Sequence, residues 1–260
     1  IRQQGVEHPS SIGNITSQHE GKNMQIKPAH IDRTCPEIEI FESILSLDNQ
    51  HILELGCGDA SLTRLIANGG AHRSIIASEV DSIQHKKNLL IPDLPNVQFI
   101  EAGSENIPCE DNTFDTVLMF KSLHHVPTQL LDTALLEIHR VLKPGGKAYI
   151  SEPIFKGEFN DVLRIFHDEE FVRDAAFNAI KKSVESKLFD LEQEVFFYTE
   201  YVFENFPSFE DRVIGATHSE HQLSDDILHK VRWKFDRFLA QNQGIFKIPN
   251  RVDLLYKPES

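Results

Sequence analysis

Short apolar runs and helix-period stretches alternate through the middle of this chain. The runs fall at His51–Leu55, Ser74–Ser78, Val97–Ile100, Thr116–Phe120 and Lys147–Ser151, each bounded by Gly, Pro, Asn or Asp. Their character is continuous rather than alternating, as in strands covered on both faces, so they read as five parallel strands. Between the fourth and fifth, Leu131, Ala134, Leu135, Ile138, Val141 and Leu142 recur at steps of three and four, and Lys143-Pro144-Gly145-Gly146 stops that helix. Ahead of the first run, Pro36 to Leu47 carries Ile38, Ile40, Phe41, Ile44, Leu45 and Leu47 in an amphipathic pattern. Strands alternating with helices of this length predict a doubly wound α/β sheet with helices on both faces.

The pattern changes on either side of this core. Residues 1–30 are polar and without a period, which reads as a loose arm or a flap over a ligand. With the helix that follows, they form an N-terminal region 1–48 ahead of the core, 49–155. From 156 to 245 the chain reads as a helical lid, including helices over Glu169–Leu191 and Ser224–Leu239 with a break at Phe206-Pro207-Ser208. Eleven of the 18 phenylalanines lie between Phe155 and Phe209, which suits the core of such a lid more than an open apolar cavity. Residues 246–260 close the chain, with Arg251–Tyr256 short and apolar enough to be a last strand.

Charge narrows the partners. The 40 acidic residues outnumber the 26 basic ones, a formal charge of -14, and the densest basic spots are only Lys86-Lys87 and Lys181-Lys182. Such a surface repels phosphate backbones and anionic lipids, so neither nucleic acid nor membrane is expected as a partner. No apolar run approaches the roughly 18 residues needed to span a bilayer. Cys35, Cys57 and Cys109 are far apart with no CxxC pair, which points to a reducing, cytoplasmic setting without disulfides or zinc. His167-Asp168-Glu169-Glu170 and His218-Ser219-Glu220-His221 hold metal-capable side chains but match no ligand motif, and no metal is expected.

The chemistry is concentrated after the first strand, in Glu54-Leu55-Gly56-Cys57-Gly58, where a glycine turn opens a helix at about Ser61. Gly56 and Gly58 admit backbone angles closed to other residues and let a ligand lie against the main chain. Two glycines in this spacing fit several nucleotide-like ligands. Dinucleotide loops place a third glycine where this chain has Ser61. A pyrophosphate needs the helix N-terminus, whereas an aminoacyl nucleoside needs a partner for its ammonium, and Glu54 suits the second. The second strand ends in Glu79-Val80-Asp81, where a carboxylate can hold both ribose hydroxyls; Glu79 is the first choice, and the other acid is expected to cap a helix.

Six motifs in order make the chain resemble the class I S-adenosylmethionine-dependent methyltransferases, over about residues 50–155. They are ELGCG, the acidic end of strand two, Ala102–Pro108, Asp111–Asp115, Ser122-Leu123-His124-His125-Val126 and Arg140–Gly146. The resemblance implies a Rossmann-like seven-stranded sheet with its last strand antiparallel, and S-adenosyl-L-methionine as cofactor. It implies Glu54, Gly56 and Gly58 at the methionine part, Glu79 at the ribose, and Gly103, Ser104 and Glu105 at the adenine, with Cys57, Val80 and Asp81 also among the cofactor-binding residues. Lys121 and Ser122 would border the cofactor. Two departures are visible: Gly103 stands where many members have an acid for the adenine amino group, and Ala60 replaces the third glycine of the loop. His124 and His125 are candidate general bases, since an imidazole titrates near neutrality. The acceptor is expected to be a small molecule, apolar or aromatic. A protein or RNA methyltransferase is an alternative, although Lys121-Ser122 stand where an Asn-Pro-Pro-Tyr acceptor motif would, and so is a non-catalytic cofactor-binding protein.

Overall fold

The computed structural model describes residues 24–215 and 223–259. Its central feature is a seven-stranded sheet, ordered β3-β2-β1-β4-β5-β7-β6. The strands are β1 His51–Leu55, β2 Ser74–Glu79, β3 Val97–Glu101, β4 Phe114–Phe120, β5 Leu142–Pro153, β6 Asp190–Val202 and β7 Ile245–Tyr256. β1 to β5 pair in parallel, while β7 runs antiparallel to both β5 and β6. The sheet direction reverses its growth at β1 and β4, and the crevice beyond the carboxyl ends of these strands is where open α/β sheets bind ligands.

Each face carries its own core. On one side α4 (Leu131–Val141) and α6 (Glu170–Glu185) bury Leu135, Ile138, Phe177 and Ile180 against Val117, Met119 and Ile150. On the other, α1 (Glu37–Ile44), α2 (Ser61–Asn68) and α3 (Ser82–Asn88) flank the sheet, and Ile40, Phe41 and Ile66 pack on Ile52, Leu118 and Tyr149. A third cluster joins α5 (Glu158–Leu163), α7 (Phe206–Phe209) and α8 (Asp225–Asn242) to the ends of β6 and β7. There Phe159, Phe203, Phe206, Phe209, Phe235 and Phe246 bury one another, with Phe209 and Phe235 centroids 4.8 Å apart. Most of the aromatic-rich stretch is thus buried, with Phe177 and Phe189 in the α4/α6 core and Phe159, Phe203, Phe206 and Phe209 in this cluster, while Phe171 is exposed.

Three expectations need correction. The helix expected over Glu169–Leu191 ends at Glu185, and β6 occupies Asp190–Val202 inside the stretch read as a helical lid. β6 is an edge strand with only two fully buried residues, Phe197 and Thr199, so it lacks the continuous apolar run that marks a central strand. The last strand begins at Ile245, not Arg251, because the Phe246-to-Asn250 segment pairs with the far end of β6. Of the arm expected to cover a ligand, residues 1–23 lie outside the described residues. Its end does not float: Met24 is buried in the α4/α6 core, and the Gln25 amide donates to Glu194 Oε1 at 2.9 Å.

Candidate active site

The turn after β1 is held by backbone geometry. Gly56, Gly58 and Ala60 all have left-handed φ, at 70°, 54° and 62°. A Cβ on Gly56 would lie 2.7 Å from Ser122 Cβ, so glycine there is what lets the turn press against the end of β4. Ser122 Oγ completes that contact by donating to the Leu55 carbonyl at 3.0 Å. A Cβ on Gly58 would meet nothing within 4 Å: this glycine faces open space. Ala60, in place of a third glycine, carries its left-handed angle with a methyl group, a strain of about 1 kcal/mol that the surrounding turn imposes.

Two carboxylates flank this turn in different states. Glu79 is fixed by the protein, its Oε2 accepting from the Gly58 amide at 2.8 Å and its Oε1 from the Asp81 amide at 2.9 Å. Asp81 is the N-cap of α3, accepting from the Ile83 amide at 2.8 Å. Of the two acids at the end of β2, then, Asp81 caps the helix and Glu79 is turned to the glycines, with Val80 beside it 68% exposed. Glu54 is the opposite case. It is 1% exposed, its Oε2 has no hydrogen-bond partner, and burial pushes its carboxyl up to about 8. Burial first, and then the nearby Glu54 and Glu79 carboxylates, raise the Cys57 thiol far above its ordinary range, so Cys57 is a packing residue rather than a nucleophile.

A Cβ on Gly103 would fall 2.5 Å from both carboxylate oxygens of Glu105. The Glu105 carboxylate therefore folds back into the space that a side chain at position 103 would take. Ser104 is buried beside it with its hydroxyl unpaired.

The carboxyl ends of β4 and β5 hold a second, denser polar group. Lys121, at left-handed φ 54°, donates its amide to the Ser151 carbonyl at 2.7 Å and points its ammonium toward Tyr201, 5.7 Å from the ring centroid. His124 follows in a short 3₁₀ turn, buried, with Nδ1 2.5 Å from Glu152 Oε2. Glu152 also accepts from the Leu123 amide at 2.9 Å and faces Arg251 on the neighbouring strand. Burial alone would raise the Glu152 carboxyl, but His124, Arg251 and that amide together hold it below its ordinary value. Glu169, at the start of α6, brings Oε1 to 3.8 Å from His124 Nε2 while its Oε2 accepts from Arg173. His125 is exposed, its ring centroid 4.1 Å from that of His124.

The structure thus gathers Glu54, Gly56, Cys57, Gly58, Glu79 and Ser122 into one turn, and His124 and His125 into a neighbouring cluster. It adds Glu152, Arg173 and Arg251, and it brings in Glu169 from the metal-capable stretch His167–Glu170. For Glu152 the available signal was an acid at the end of an apolar strand, where a buried charge needs a partner.

Comparison with known proteins agrees with this geometry. Residues 52–146 match the family model for a methyltransferase domain. Over 162 residues the chain is 31% identical to a demethylmenaquinone methyltransferase of Staphylococcus saprophyticus, covering 53% of this chain and 67% of that protein. It is 34% identical over 125 residues to the sterol 4-C-methyltransferase strm-1 of Caenorhabditis elegans, covering 46% of this chain but only 36% of that enzyme. Among solved structures, the YcgJ protein of Bacillus subtilis shares the fold with a TM-score of 0.60 at 15% identity, over 86% of this chain and 97% of that one. The chain belongs to the S-adenosylmethionine-dependent methyltransferase family. Among the described residues no helix is long and apolar enough to cross a membrane.

Proposed function

We propose that the protein binds S-adenosyl-L-methionine and transfers its methyl group to a small, largely apolar molecule. The observation that carries this reading is Glu54, a buried carboxylate with an unpaired oxygen beside the glycine turn. An uncompensated buried carboxyl is costly unless a cation reaches it, and the cofactor's ammonium is such a cation. The rest of the turn fits the same ligand. Gly58 leaves the main chain bare, Glu79 is oriented for two ribose hydroxyls, exposed Val80 offers an apolar face, and Glu105 with Ser104 offers acceptors for an amino group.

When bound, the cofactor supplies an electrophilic methyl group. The residues of this chain would do the rest by placement: Glu54 would fix the methionine part and Glu79 the ribose, and the lid core of Phe159, Phe203 and Phe235 would wall off water from the carboxyl edge of the sheet. His124 and His125 stand at that edge, but Nδ1 of His124 is committed to Glu152, so only its Nε2 remains to act on an acceptor. The relatives named for demethylmenaquinone and sterol methylation support a lipophilic acceptor; the acidic surface disfavours RNA.

Calorimetry with S-adenosylhomocysteine tests the cofactor, with a single site expected in the wild type and none in Gly58→Arg. Absence of binding by the wild type overturns the reading. Methyl transfer from labelled cofactor to a panel of quinols, phenols and sterols, with a folded protein and a nucleic acid as comparators, tests the acceptor. Binding without transfer to any of these would leave a non-catalytic cofactor-binding protein.

A further inference from the structure

We propose that His124, His125 and Glu169 form a site for a divalent first-row transition metal, of which zinc is the representative. One donor atom from each of the three lies within 4.8 Å of the others. The donors come from the turn after β4 and from the start of α6, two segments that no sequence spacing would connect, which is why the sequence pattern points away from a metal.

Proximity alone would be weak. Its weight comes from what stands behind the donors. His124 Nδ1 is taken by Glu152, which fixes the ring and leaves Nε2 as the donor facing Glu169. Glu169 in turn has Oε2 held by Arg173, which leaves Oε1 facing His124, with His167 Nε2 at 2.9 Å from the same oxygen. A carboxylate behind a ligating imidazole, and a partner behind a ligating carboxylate, are the outer-shell arrangements that orient metal ligands. Two imidazoles and one carboxylate are also a donor set that zinc uses when a fourth position is kept open. Here the open side is that of His125, the exposed member of the three. Tetrahedral coordination at about 2.0–2.1 Å would draw the three donor atoms closer together.

A cation in this place would take the acceptor's oxygen as its further ligand and favour its deprotonated form, the proton passing to solvent water on the exposed His125 side. His124, with Nε2 on the metal and its Nδ1–H donated to Glu152, would then position the metal and would not take up the acceptor's proton. Metal binding is measured directly and does not depend on the methyl-transfer reading.

The test is zinc titration by calorimetry on the purified, chelator-treated protein, with cobalt absorption in the visible as a second readout. The expected result is one equivalent bound per chain, weakened at least tenfold in both His125→Ala and Glu169→Gln and unchanged in His72→Ala, with intense cobalt bands lost in the two site variants. His125 is exposed, so its variant keeps the fold and remains informative if Glu169→Gln does not. No binding by the wild type, or binding that His125→Ala leaves intact, overturns the proposal; the latter would assign the metal to other histidines of the chain.

Discussion

The Gly58 amide donates to Glu79 Oε2 at 2.8 Å, so the turn after β1 and the acid at the end of β2 behave as one rigid part. Glu79→Gln keeps the size of the side chain but can accept through only one oxygen, and its amide group opposes the amide of Gly58 or of Asp81. The expected outcome is a loss of about 1–2 kcal/mol in stability and a tenfold or greater loss of S-adenosylhomocysteine affinity. Urea unfolding and calorimetry on the same preparation check both.

Glu54 makes a pH-dependent prediction of definite sign. Burial raises its carboxyl from 4.5 in the unfolded chain to about 8 in the fold. A raised carboxyl stabilises the fold fully below the unfolded value, and that contribution is lost as pH climbs through about 8. Glu54→Gln removes this dependence. At pH 8 the ligand-free variant is expected to exceed the wild type by about 2–4 kcal/mol, and at pH 4.5 to match it, while cofactor affinity falls in the variant. Denaturant titrations at several pH values read the difference; equal slopes in the two proteins would show that Glu54 is not the titrating group.

Tyr149 and Glu37 join α1 to the sheet. The buried Tyr149 hydroxyl donates to Glu37 Oε1 at 2.6 Å, and Glu37 Oε2 has no partner. Tyr149→Phe leaves that carboxylate buried with neither oxygen bonded and is expected to cost about 2 kcal/mol. Glu37→Gln, which retains an acceptor and removes a charge, is expected to be neutral within about 1 kcal/mol. The ratio of the two effects in urea unfolding separates loss of a donor from relief of a buried charge.

The lid core should fail apart from the cofactor turn. Phe235 is fully buried among Phe203, Phe206, Phe209 and Phe246. Phe235→Ala is expected to cost about 3–5 kcal/mol and to abolish transfer to the acceptor. S-adenosylhomocysteine affinity should change less than threefold, because none of its expected contacts lies in that cluster. Calorimetry at a temperature below the variant's transition distinguishes this from global unfolding.

The chain announces its centre more clearly than its edges. β1, β2 and β4 are flanked on both sides by strands and read as unbroken apolar runs, so their places along the chain were legible. β6 was not, because its first residues, Asp190-Leu191-Glu192-Gln193-Glu194, are polar and border solvent at the sheet edge. The aromatic and β-branched run Val195–Val202 was the signal that should have outweighed them. In the site, residues bound to the glycine turn were legible because backbone demands leave glycines behind. Glu105 was placed at the adenine end, but its fold-back over Gly103 depends on side-chain direction. Glu152, Glu169, Arg173 and Arg251 meet only because β5, α6 and β7 converge; Glu152 and Glu169 could be singled out in the sequence, but not as neighbours of one another.

The two ends of the α7–α8 segment touch: the Phe203 amide donates to the Gly244 carbonyl at 3.0 Å, and Gly244 holds a φ of 82° where a Cβ would strike the Phe203 carbonyl. The sheet therefore closes beneath this segment as it would beneath a hairpin turn. The α7–α8 part of the lid is thus attached to the sheet where β6 hands over to β7, while α5 joins the same cluster from the end of β5. A change in the length of chain between β6 and β7 would leave the strand order and the glycine turn after β1 as they are.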